Sequence, residues 1–213
     1  MKDFNFFTTE NGVASLILRE VPYQQVAYIR IRDTQEPAKL LEECISFCRM
    51  VGAEKILATG HEDLEQFPLE TAVWQMSCLR ESLGNSDGLL FPVTLETADH
   101  FQKLYNEKVK KIPNAAWMDD KDKREMLASG EGYFVHKEGK LLGIGRVKGE
   151  ELRFLAAFAP GAGETVVRAL ASALYEERCV LEVASANNKA IALYERLGFL
   201  KTGEISRWYR VFG

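Results

Sequence analysis

The chain has 213 residues, of which 46% are hydrophobic and 27% charged, with a net charge of −4 at neutral pH. That length buries a real core, as one large domain or two small ones, and the composition is that of an ordinary globular protein. The acidic balance argues against nucleic acid or an anionic membrane as the main partner. The opening stretch MKDFNFFTTENG lacks a signal-peptide core, and no apolar run in the chain reaches membrane-spanning length. Residues Val13–Leu18 and Gln25–Arg32 alternate like strands and are joined across Val21-Pro22-Tyr23. Gln35-Glu36-Pro37 then starts a helix whose apolar face holds Leu40, Leu41, Cys44, Ile45, Phe47, Cys48 and Val51. Gly52 ends that helix and Lys55–Ala58 reads as a short strand, so residues 13–59 run strand, strand, helix, strand. The segment Phe67–Leu83 reads as helical in places, with Trp74 in the core.

Gly84–Gly88, GNSDG, is the strongest linker signal and divides the chain into 1–88 and 89–213. Beyond it lie a strand at Leu89–Val93, an amphipathic helix at Thr97–Lys110 and a second helix within Asn114–Leu127, whose charged run is a solvated face. A meander follows: Gly132–His136, a turn at Glu138-Gly139, Leu141–Val147, a turn at Lys148-Gly149, and the apolar strand Leu152–Ala159. Thr165–Glu177 reads as a helix, Cys179–Val183 as a buried strand and Ser206–Phe212 as a last strand. Leu40–Leu57 and Val166–Leu181 echo each other as helix, turn and aliphatic strand, each after an apolar strand. The first copy has no glycine between its strand and helix. Cys44, Cys48, Cys78 and Cys179 form no Cys-x-x-Cys pair, which points to buried free thiols in a reducing, cytoplasmic setting.

Two stretches carry chemistry. Phe158–Thr165, FAPGAGET, lies between a buried strand and a helix. A glycine-bearing turn of this kind leaves backbone N–H groups uncovered at a helix start, a nest suited to phosphate. The second stretch, Leu181–Phe199, reads LEVASANNKAIALYERLGF. Its helix has an apolar face of Ala190, Ile191, Leu193, Tyr194 and Leu197, is stopped by Gly198, and lets Phe199 pack back on the last turn.

The pattern strand, Asn-x-x-Ala-x-x-Leu-Tyr-Glu, Leu-Gly-Phe closely resembles the C-terminal motif of the GNAT superfamily of N-acetyltransferases, with Asn187, Ala190, Leu193, Tyr194, Gly198 and Phe199 in the family's spacing. The resemblance covers about residues 89–213. It implies an α/β (α+β) fold: a mixed, curved central sheet flanked by helices, with Leu152–Ala159 and Cys179–Val183 splaying apart. The first part of the chain would be a degenerate GNAT-like strand-strand-helix-strand half. The resemblance also implies acetyl-CoA as cosubstrate, its pantetheine arm paired to the free strand backbone. The turn residues Phe158, Ala159, Gly161, Ala162, Gly163, Glu164 and Thr165 would hold the pyrophosphate. Asn187, Ala190 and Tyr194 would line the arm. The turn departs from the family pattern in lacking its arginine or glutamine.

Transfer to an amine needs an unprotonated nucleophile, a stabilised oxyanion and a proton for the departing thiolate. Tyr194 matches the family's acid: a phenol of pKa about 10 keeps its proton at neutral pH and can give it to a thiolate of thiol pKa about 8.5. For a general base, Glu151, His136 and Glu182 all stay open. His61, His100 and His136 show no ligand spacing, so no metal is expected. Two functions are consistent with these residues. One is an acetyl-CoA-dependent N-acetyltransferase acting on a small-molecule or peptide amine. The other is a non-catalytic CoA- or acyl-CoA-binding module on the same scaffold. A homodimer is compatible with either.

Overall fold

The computed structural model describes residues 3–110 and 116–213. They form two compact units, Met1–Val73 with Glu204–Gly213, and Trp74–Gly203. The boundary expected at 88/89 falls inside the second unit, and the C-terminal strand returns to the first.

In the first unit, β1 (Phe4–Thr9), β2 (Gly12–Ile17) and β3 (Val26–Thr34) form an antiparallel meander, with a one-turn helix, α1 (Val21–Gln24), between β2 and β3. Helix α2 (Pro37–Met50) carries the chain back, so that β4 (Lys55–Thr59) lies parallel to β3 from Val26↔Lys55 to Arg30↔Thr59. Pro37 suits the first helical turn, where its missing N–H costs nothing. Leu40, Leu41, Cys44 and Cys48 form the face that α2 buries against Leu16, Ile29 and Ile56. The C-terminal residues pair with β4, Tyr209↔Ala58 and Arg210↔Leu57, and Trp208 packs edge-on to Tyr28 on the other face. The expected strand-strand-helix-strand order is present, with an extra strand in front of it. β1 escaped the sequence reading because FNFFTT does not alternate and lies at a sheet edge, with Phe6 75% exposed.

The segment read as partly helical is instead an eleven-residue strand, β5 (Leu69–Leu79), followed by a 3-10 turn at Arg80–Leu83. Its period of two is carried by Ala72, Trp74, Met76 and Cys78, and the apolar Val73 between them blurs it. In the second unit follow β6 (Leu89–Pro92), α3 (Ala98–Val109) and α4 (Asp120–Ser129). Residues 114–115 of the helix expected at Asn114–Leu127 lie outside the described residues. Helix α4 begins at a capping box of Asp119 and Asp122. The meander is β7 (Gly132–Lys137), β8 (Lys140–Lys148) and β9 (Glu151–Ala157), all antiparallel, with positive φ at both Glu138 and Gly139 in the first turn. Helix α5 (Gly163–Ala171), β10 (Arg178–Ala184), α6 (Asn188–Arg196) and β11 (Leu200–Phe212) complete the chain. Helix α5 is shorter than the expected Thr165–Glu177, because the chain turns at Ser172 and Ala173.

Helices cover both faces of the second unit's mixed sheet. Val166, Val167 and Leu170 of α5, with Tyr194 and Leu197 of α6, pack on Val147, Leu152, Leu181 and Val183. Phe101, Tyr105 and Met126 of α3 and α4 cover Phe134, Ile144 and Ala156 on the opposite face. Gly143 and Gly145 let α5 press directly on β8: a Cβ there would lie 2.6 Å from Val166 and 2.2 Å from Leu170. Among the described residues, no helix is long and apolar enough to cross a membrane. Cys44, Cys48 and Cys179 are buried and all four cysteines are free.

Candidate active site

The site begins where two parallel strands stop pairing. β9 and β10 match only at Glu151↔Val180 and Leu152↔Leu181. On its other side β9 pairs with β8, where Val147 opposes Leu152 but Arg146 opposes Phe154. Arg153 is therefore an extra residue in β9, a bulge, and a bulge bends its strand. Beyond it the β10 side of β9 is open. The direction of the free backbone follows from the ladder. Phe158 N donates to Leu142 O at 2.8 Å, and hydrogen-bonded and non-hydrogen-bonded pairs alternate. Leu155 and Ala157, opposite Gly145 and Gly143, thus turn their N–H and C=O away from β8. Two residues two apart turn two donors and two acceptors along one edge, and of these Ala157 O accepts from Lys108 Nζ at 3.0 Å.

That edge runs into the turn Phe158–Ala162 and then the start of α5. Gly161 has φ of 79°, a left-handed conformation that favours glycine. The first N–H groups of α5 have no intrahelical acceptor and point out of the helix end. Glu164, the acid that would repel a phosphate, is turned along the helix and paired to Arg168 at 2.9 Å. Thr165 is tied elsewhere: its carbonyl accepts from Ser86 Oγ at 3.1 Å. Gly163 has a packing role as well, since a Cβ there would lie 2.7 Å from Leu193 Cδ2 of α6. That contact brings the turn and the second predicted stretch together. Asn187 caps α6, its Oδ1 accepting from Ala190 N at 3.3 Å, which leaves its amide N–H₂ as the group available to a ligand. Ala190 is half-buried in the first turn.

Tyr194 is only 6% exposed, in the core with its ring 5.7 Å from that of Phe199. Burial, and after it the neighbouring Cys179, pushes its phenol above the ordinary range, so the proton stays on at any physiological pH.

On the sheet face away from α5 and α6, a pocket of about 320 Å³ is lined by Gln75, Arg146, Glu151, Arg153 and Glu182 together with Leu152, Val180 and Leu181. Its cations are anchored. Buried Glu131 takes Arg146 at 2.9 Å, Lys148 at 3.1 Å and Arg153 at 3.8 Å. Burial opposes the ionisation of Glu131, but hydrogen bonds from Lys148 and Arg146 outweigh it and hold the carboxyl below its usual range. Glu151 is paired to Arg153 at 3.2 Å. Glu182 has no ion-pair partner among the described residues; desolvation, and then the charge of Glu151, raises its carboxyl above the usual range. Of the three base candidates, Glu151 and Glu182 share this pocket. His136 lies on β7 against the ring of Phe91, 5.1 Å between centroids. Sequence reasoning missed the Glu131 cluster and the Arg153 bulge, since neither has a local signature. Among the described residues, no group of three or more His, Cys, Asp or Glu side chains is arranged to hold a metal.

Residues 160–199, from the turn to the Gly-Phe after α6, match the acetyltransferase (GNAT) family model. The chain has the GNAT fold. A functionally unknown conserved protein from Staphylococcus epidermidis superposes with a TM-score of 0.63 at 12% identity, covering 97% of this chain and 94% of that one. A GCN5-related N-acetyltransferase from Anabaena variabilis gives 0.63 at 11% identity, over 94% and 60%. A tandem GNAT protein from the clavulanic acid biosynthesis pathway gives 0.53 at 13% identity, over 94% and 78%. At these identities the likeness is one of fold. No curated protein matches the chain in sequence. The mixed sheet flanked by helices is thus the GNAT architecture, and the family match points to acetyltransferase chemistry as the general class.

Proposed function

We propose that the chain is an acetyl-CoA-dependent N-acetyltransferase acting on a primary amine. The observation that carries this reading is the open edge of β9, Leu155 and Ala157, leading straight to the N-terminus of α5 inside the segment that matches the family. The residues present fit the cosubstrate: an edge whose donors and acceptors alternate and face away from β8 suits a chain of amides, and uncapped helix N–H groups suit a diphosphate. Acetyl-CoA supplies the activated acetyl thioester. Leu155 and Ala157 hold its arm by backbone hydrogen bonds, as an added strand would be held. Residues 161–165 receive the phosphates, and the amide of Asn187 steadies the arm from α6.

The acceptor enters from the opposite face, in the pocket of Glu182. A carboxylate with no ion-pair partner among the described residues is a natural counter-ion for an ammonium, and its raised pKa suits it to take the proton that the amine must lose. Tyr194 keeps the proton needed by the leaving thiolate. Its burial is also the observation that favours a second reading, a CoA-binding module without turnover, because an acid must reach the sulfur.

Calorimetric titration with acetyl-CoA tests the first half of the proposal and release of free thiol in the presence of primary amines tests the second. Binding with amine-dependent thiol release supports the enzyme. Binding without release for any amine leaves the module, and absence of binding at millimolar acetyl-CoA removes both.

A further inference from the structure

The turn between β9 and α5 contains no basic side chain. One reaches it from outside. Lys108, in the last turn of α3, places Nζ 3.0 Å from Ala157 O and 4.8 Å from the centroid of the Phe158 ring. Ala157 O is one of the outward-facing groups of the open edge, so the ammonium sits at the point where edge becomes turn. Other lysines of this unit are differently placed: half-buried Lys123 pairs with Asp99 and Lys137 with Asp87, and exposed Lys148 pairs with Glu131. Lys108 has no carboxylate within ion-pair distance among the described residues. It donates one proton to a neutral carbonyl and rests on an aromatic face, which leaves an ammonium with donors to spare. The acid on the turn, Glu164, is already neutralised by Arg168.

We propose that Lys108 is the phosphate-binding cation of this site and takes the place of the arginine or glutamine that the turn lacks. The inference rests on the acetyl-CoA reading and deepens it. Without ligand, Nζ occupies the Ala157 carbonyl. When the cosubstrate binds, Nζ moves to a phosphate oxygen, and the carbonyl is freed to accept an amide N–H from the arm. A flexible four-carbon stem allows the move, and the gain is a charge-assisted contact in place of a neutral one.

The test compares acetyl-CoA with S-acetylpantetheine, which has the arm but no phosphate, by calorimetry on the parent, Lys108→Ala and Lys108→Arg. The parent is expected to bind both, acetyl-CoA more tightly. Lys108→Ala should lose about tenfold or more in acetyl-CoA affinity and show a flatter salt dependence, while S-acetylpantetheine, which no longer competes with Nζ for the Ala157 carbonyl, binds as well as before or more tightly. Lys108→Arg should restore most of the acetyl-CoA affinity. Unaltered acetyl-CoA binding and salt dependence in Lys108→Ala would overturn the proposal. So would an equal loss for both ligands, which would mean that Lys108 matters only through its hold on Ala157. A parent that binds neither ligand would bring down the acetyl-CoA reading itself, and that result is distinct from a phosphate-independent site.

Discussion

The two units each contain a strand, a helix and a parallel strand, and the pair differs in one respect that bears on function. In the first, β3 and β4 stay paired over five positions, Val26↔Lys55 to Arg30↔Thr59. In the second, β9 and β10 pair at two. Both leading strands carry a bulge. That of β3 is Arg32, which lies between Ile31 opposite Ala14 and Asp33 opposite Val13; that of β9 is Arg153. The bulge in β3 falls after its parallel pairing is complete, whereas the bulge in β9 falls one residue after Leu152. A single extra residue, moved toward the start of the strand, leaves the rest of the strand edge uncovered. The helix that follows reinforces the difference. Helix α2 starts on Pro37, with no glycine turn before it, while α5 follows Gly161. One unit closes the motif by continuous pairing, and the other leaves a strand edge open.

Proline placed in the two leading strands should separate the two units most strongly. In β3, Ile29 is buried and pairs with Leu16 on one side and Ala58 on the other. Ile29→Pro should cost about 3 kcal/mol or more through a lost ladder bond and an emptied core site, read as a large drop in the denaturation midpoint or loss of the folded first unit. Tyr194→Phe comes next. If the second unit alone does chemistry, turnover should fall about 100-fold, the low end for a positioned acid, with acetyl-CoA affinity kept. Steady-state rates and calorimetry on one preparation separate the two effects, and unchanged turnover would remove Tyr194 from the mechanism.

Ala157→Pro is the counterpart of the first substitution and should be far milder for folding, because the N–H it deletes faces the open edge. Its predicted effect is on ligand: about tenfold weaker acetyl-CoA binding, roughly 1.4 kcal/mol, with a nearly unchanged melting temperature. A fall in stability like that of Ile29→Pro would show that the edge is not open. The smallest effect is expected at Glu182. Its carboxyl pKa is raised by folding, so the folded state holds the proton more tightly than the unfolded state. Its contribution to stability is therefore present below the unfolded pKa and lost as pH rises through the folded one. Glu182→Gln should raise the melting temperature slightly at neutral pH and have less effect under acid conditions, while lowering amine-dependent turnover. Equal shifts at both pH values would mean that ionisation at Glu182 is not what folding opposes.

The stretch from Phe158 to Phe199 was legible because its signals are local. Glycine at positive φ, an asparagine that caps three residues ahead and an apolar helical face all act within a few residues, and each is where the sequence put it. Which way Glu164 turns was not legible, since its pairing with Arg168 is a matter of rotamer. Val73 hid the period of β5, and Phe6 gave β1 no buried face to mark it. The boundary expected at GNSDG failed to mark a unit because that loop packs on α5, with Ser86 bonded to Thr165.

By itself the sequence determined the order of the elements from β6 to α6, the turn and the capped helix, and through them the GNAT resemblance. These depend on propensity, periodicity and turn chemistry, which are properties of neighbours along the chain. Only the tertiary structure decided that Arg153 is a bulge, that Leu155 and Ala157 face outward, that Glu131 gathers three cations and that Lys108 reaches the turn. Each of those depends on which distant residue lies opposite, 49 positions away for Lys108 and Ala157. Pairing across such separations is set by the packing of whole elements, and no short window of sequence contains it.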